Sequence, residues 1–76
     1  MTAKPALQFV ETRPRREWVA TLGERRFRIE RIEAFWFAAY VDDIDSAGCH
    51  PIAEADRRTR AECIDWFDRY IHAVVA

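Results

Sequence analysis

The sequence predicts an α+β fold, a three-stranded antiparallel meander with one C-terminal helix packed on one face of the sheet. Three observations predict it: a glycine turn inside a stretch of alternating apolar and polar residues, an aromatic run of strand length at 35–41, and a capped amphipathic stretch that opens at Thr59. Seventy-six residues, half of them apolar and a third charged, suit one globular domain with a single core.

Residues 1–15 read as a flexible arm, within which Leu7–Val10 is a candidate short edge strand that Pro14 interrupts. The single α+β domain is expected over 16–76. Its first hairpin turns at Leu22-Gly23-Glu24-Arg25, because glycine at the first central position accepts the positive φ of a type II′ turn. That turn sets the register. Ala20 faces Phe27 and Trp18 faces Ile29 on the core side, while Thr21 faces Arg26 and Val19 faces Arg28 on the other. The same register opposes Glu17 to Glu30 and Arg16 to Arg31, like-charge pairs that cost stability and predict fraying.

A second turn around Ile32-Glu33-Ala34-Phe35 has no glycine or asparagine to fix its type. Either Phe35, Phe37, Ala39 and Val41 face the core, leaving Trp36, Ala38 and Tyr40 outside, or the reverse holds. The first arrangement is preferred, since it leaves outside the two rings with a polar handle. In both, aromatic side chains stand on a face that a chain this short has no second layer to cover, which predicts a partner there.

Residues 42–58 read as a long connection rich in Asp, Ser, Gly and Pro. Thr59-Arg60-Ala61-Glu62 is a capping box, and Ala61, Ile64, Phe67, Ile71 and Val74 recur at helical spacing to give the stripe that packs on the sheet. Cys63 flanks this stripe as a small apolar residue, and Trp66 is placed at the core edge.

The candidate chemistry is binding, not catalysis. Cys49, His50, Cys63 and His72 lack the closely spaced ligand pairs of a zinc site, and the acids after Val41 lack the alternation of a calcium loop; no metal, no other cofactor and no enzyme activity are expected. Residues 1–41 carry eight Lys/Arg against five Asp/Glu, and residues 42–76 carry eight acids against four Arg, so the near-neutral total conceals a dipole in sequence. Asp42, Asp43 and Asp45 are candidates to stand in for phosphates on a basic surface. Arg25, Arg26, Arg28 and Arg31, beside Trp36 and Tyr40, are candidates for partner or nucleic-acid contact. No hydrophobic segment has signal-peptide or membrane-spanning length, so a soluble, cytoplasmic protein without membrane contact is expected.

A meander followed by a helix opening Thr59-Arg60-Ala61-Glu62-Cys63-Ile64-Asp65-Trp66 resembles two kinds of small mobile-element protein. One is the short phage-encoded inhibitor, anti-CRISPR proteins included; the other is the arm-type DNA-binding domain of phage integrases, whose sheet enters the major groove. The second resemblance lacks the Gly-x-Phe lead-in, replaced here by Glu54-Ala55-Asp56-Arg57-Arg58. The first implies a non-enzymatic inhibitor that occupies the nucleic-acid-binding surface of a host protein complex. The alternative it leaves is a sequence-specific DNA-binding module, with direct DNA binding the less favoured, and a homodimer closed through the outer sheet face is a third arrangement.

Overall fold

The computed structural model describes residues 7–45 and 47–75, with side chains to 73. Five strands form one antiparallel sheet in chain order: β1 (Val10–Arg13), β2 (Glu17–Leu22), β3 (Arg25–Glu33), β4 (Trp36–Asp45) and β5 (Gly48–Arg57). Helix α1 (Arg60–Val75) crosses one face, over β3, β4 and β5. The α+β class, the antiparallel sheet and the C-terminal helix are as the sequence predicts, but the strand count is five where three were expected. The two further strands flank the predicted meander.

The first of these, β1, begins at Val10, at the end of the Leu7–Val10 segment considered for an edge strand, and pairs with β2. It turns into β2 through Pro14, Arg15 and Arg16, with Arg15 in the left-handed region at φ 58°. The second, β5, occupies the supposed connection. Asp45 and Gly48 pair across a two-residue turn, the Asp45 carboxylate accepts from the Ala47 N–H at 2.8 Å, and Gly48 has a φ of 130° that other residues rarely adopt. Asp at the first position and Gly at the fourth mark a turn in the sequence. The alternation Ala53-Glu54-Ala55-Asp56 marks the returning strand.

The β2–β3 register is the predicted one throughout, from Glu17↔Glu30 to Leu22↔Arg25, and Gly23 sits at φ 62° as a II′ turn requires. The next turn is one residue later than expected: Glu33 pairs with Trp36, and Ala34 and Phe35 form the loop. Neither has positive φ, so the loop lacks the primed geometry that suits strand twist; the register shifts by one at Ile32 beside it, a bulge that absorbs the mismatch. Phe37, Ala39 and Val41 face the core. Phe35 does not, because it is a turn residue 78% exposed.

The core lies between the helix and the rows Trp18–Ile29–Ala39 and Ala20–Phe27–Val41. Cys63 and Phe67 are the fully buried helix residues, with Ile64, Trp66, Tyr70 and Ile71 packed around them. The stripe is thus centred one position from the expected one: Ala61 is exposed, and the Val74 side chain lies outside the described residues. Phe67 meets Phe27 edge-on at 5.3 Å and stacks with Phe9 at 5.8 Å, so the segment before β1 also belongs to the core. Thr59 caps the helix, its hydroxyl accepting from the Glu62 N–H at 3.1 Å. No helix among the described residues is long and apolar enough to cross a membrane.

Candidate functional site

The sheet face away from the helix carries three rows: Glu17–Glu30–Ala38–Asp56, Val19–Arg28–Tyr40–Glu54 and Thr21–Arg26–Asp42–Pro51. Asp42 is wholly buried under the long side chains beside it. Its Oδ2 accepts from Arg26 Nε at 3.0 Å and from Arg28 Nε at 3.3 Å, while its Oδ1 has no hydrogen-bond partner among the described residues. Arg28 also donates to Glu30 and lies 4.4 Å over the Tyr40 ring. Burial pulls the Arg28 guanidinium down, but the hydrogen bond and charge of Asp42, with Glu30, outweigh it and hold it above its ordinary value.

This network alters the reading of the sequence candidates. A buried carboxylate held by two arginines does not present itself to a basic partner, so Asp42 is a structural ion. Arg26 and Arg28 are correspondingly drawn inward. Asp43 lies 3.7 Å from Arg25, and Asp45 lies 3.5 Å from His50, both at the β4–β5 turn, while Trp36 stands at the opposite end of its strand beside Arg58. The candidates fall into three places. On the outer side of β4, Ala38 is buried beneath its neighbours and Tyr40 is half-buried under Arg28, while Trp36 stays exposed. Five carboxylates (Glu17, Glu30, Asp42, Glu54, Asp56) against three guanidiniums (Arg13, Arg26, Arg28) make this face net acidic. Burial and then the Glu30 charge push the Tyr40 hydroxyl above its usual range, with Glu54 and Asp56 adding to it against Arg28.

A second constellation forms where the β1–β2 turn, the β3–β4 turn and the start of α1 meet, because alternate turns of a meander fall at the same end of the sheet. Arg15, Arg16 and Arg31, with Pro14, Ile32, Glu33 and Ala34, line a shallow concavity of about 420 Å³. Arg16 and Arg31 stand opposite each other, the Arg31 N–H donating to the Arg16 carbonyl at 2.8 Å. Adjoining it through Ala34 is a concavity of about 350 Å³, floored by Trp18 and Phe37 and walled by Phe35, Arg58, Thr59 and Arg60. The Arg60 guanidinium lies 4.6 Å over the Trp18 ring, and that of Arg58 lies 5.8 Å over Trp36.

Among the described residues, none of Arg15, Arg16, Arg31, Arg58 or Arg60 forms an ion pair. Three of the large exposed apolar side chains, Ile32, Phe35 and Trp36, lie among them. The helix N-terminus adds its partial positive charge at the same end. One sign of this site is present in the sequence, the costly opposition of Arg16 to Arg31; the rest depends on which turns come together.

The fold and this end define a small α+β protein with a preformed basic and aromatic surface. No known protein family, curated protein or solved structure matches the chain.

Proposed function

We propose that the protein is a non-enzymatic binding module whose working surface is the arginine and aromatic end of the sheet, and that its partner is a nucleic acid. The observation that carries this is the gathering of Arg15, Arg16, Arg31, Arg58 and Arg60, none in an ion pair among the described residues, around exposed Phe35 and Trp36. Like charges set side by side without counterions cost folding energy, and a polyanion repays it by releasing its own counterions on binding. The contact differs from the integrase-like mode, since the sheet face that would enter a groove is net acidic, with Arg26 and Arg28 held by Asp42 and Glu30 and Arg13 beside Glu17. The test is titration of labelled mixed-sequence DNA and RNA with the full chain at about 50 and 200 mM salt. Binding that weakens steeply with salt and is abolished by Arg16→Glu/Arg31→Glu is expected; no binding of any nucleic acid at the lower salt overturns the reading.

The acidic outer face favours a second reading, the inhibitor expected from the sequence, which occupies the nucleic-acid-binding surface of a partner protein complex. Its carboxylates are then Glu17, Glu54 and Asp56 around Tyr40, in place of Asp42, Asp43 and Asp45. Glu54 and Asp56 are exposed and form no ion pair among the described residues. Glu54→Lys/Asp56→Lys abolishes binding in this reading and leaves it intact, or strengthened, in the first.

A further inference from the structure

Resting on the nucleic-acid reading, we infer that the ligand is single-stranded: an unpaired base enters the concavity between Phe35 and the start of α1, and the phosphates next to it lie along Arg15, Arg16 and Arg31. Two features of the site lead there. First, the two concavities differ in chemistry and share a wall at Ala34. The larger is lined by three guanidiniums against one carboxylate, Glu33, as a phosphate path requires. The smaller is mainly apolar: the exposed Phe35 ring stands at its mouth, Phe37 is half-buried in its floor, and Trp18 lies buried there beneath the Arg60 guanidinium, with Arg58 beside them. A base presents two π faces and polar edges, and aromatic rings with neighbouring arginines take it by stacking without reading its identity.

Second, the geometry disfavours a duplex. A paired base offers only its edges, in grooves that are read by a helix or a two-stranded ribbon laid into them. Here the basic elements are short turns, the one helix points its N-terminus at the site and not its side, and the broad sheet face is acidic. Bases stacked inside a duplex have no free face to lay on the exposed Phe35 ring or on the Arg60 guanidinium. An unstacked base does.

Fluorescence anisotropy of the full chain with a labelled twelve-nucleotide oligo-dT, and with the same strand annealed to oligo-dA, separates the possibilities. The single strand is expected to bind more tightly than the duplex, with a slope of log K on log salt of about −2, the value for three neutralised phosphates. Phe35→Ala, at an exposed turn position where no packing is lost, is expected to weaken single-strand binding roughly ten- to a hundred-fold. Equal or tighter binding of the duplex overturns the single-strand inference and leaves the nucleic-acid reading standing. Loss of binding in Arg16→Ala/Arg31→Ala with none in Phe35→Ala overturns the base site alone. Binding of neither probe, by a chain whose circular dichroism shows it folded, overturns both.

Discussion

Asp42 shows how far a residue's role depends on its neighbours. In the sequence it begins an acidic run and reads as solvated, yet the β3–β4 register sets it opposite Arg26 and diagonal to Arg28, and both guanidiniums bond to it where it lies buried. Removing one member of a buried pair leaves the others uncompensated. Asp42→Ala is therefore expected to lower the unfolding free energy by about 2–4 kcal/mol in a denaturant titration, the cost of a broken buried pair reduced for the partial exposure of both arginines. Arg26→Ala is expected to cost less, because Arg28 still holds the carboxylate. The cysteines differ in the same way. Burial pushes the Cys63 thiol up to about 11, whereas Cys49 is exposed on β5. An alkylating reagent at pH 8 is expected to label Cys49 alone until the chain unfolds. Because the folded thiol holds its proton above its ordinary value of 9.0, the stability this contributes is fully present below that pH and is lost as pH rises from about 9 through about 11. Stability measured at pH 8 and at pH 11 in wild type and Cys63→Ala checks this, the drop being smaller in the variant.

At the scale of elements, legibility followed backbone chemistry. The β2–β3 hairpin is readable because Gly23 alone fixes its turn and the alternation on both sides agrees. The β4–β5 hairpin is harder to see: its outward positions are acids, its core positions Ala53 and Ala55 are small, and Pro51 interrupts the pattern, so residues 42–58 look like a loop although Asp45 and Gly48 carry the turn signature. The aromatic strand was legible in part. Of its outer side chains, Ala38 is buried and Tyr40 lies half-buried under Arg28, while Trp36 at the end of the strand stays exposed. The β1–β2 turn carries its own cost, since Arg15 holds a left-handed conformation that glycine adopts freely. Arg15→Gly is expected to raise stability by up to about 1 kcal/mol by thermal or chemical denaturation, and Gly48→Ala, where φ is 130°, to lower it by about 1–3 kcal/mol.

Across the whole molecule, the charge asymmetry of the sequence is not the asymmetry of the fold. The halves at 1–41 and 42–76 differ in net charge, but folding places Arg15, Arg16 and Arg31 beside Arg58 and Arg60, from the acidic half. The arginine end was illegible for that reason: its members meet only once the number and order of the strands are fixed. The core, by contrast, was largely legible, because apolar periodicity survives an error in strand count.

Among the described residues the sheet is open on both sides, and its two margins differ. β1 offers four residues of unpaired backbone, too few to seed another strand, but β5 offers ten. Along β5, Pro51 has no N–H to give, the register shift beside it displaces Ile52, and Glu54 and Asp56 bring like charge against an identical neighbour. These residues make the margin a poor template for a second copy, so the chain is expected to stay dispersed at concentrations where a plain strand of this length would polymerise. Pro51→Val with Glu54→Val removes two of these obstacles together, and thioflavin fluorescence and light scattering over days of incubation are expected to rise in that variant while the parent stays clear. Resistance to fibre growth is thus expected to rest on a few residues at one border of the sheet.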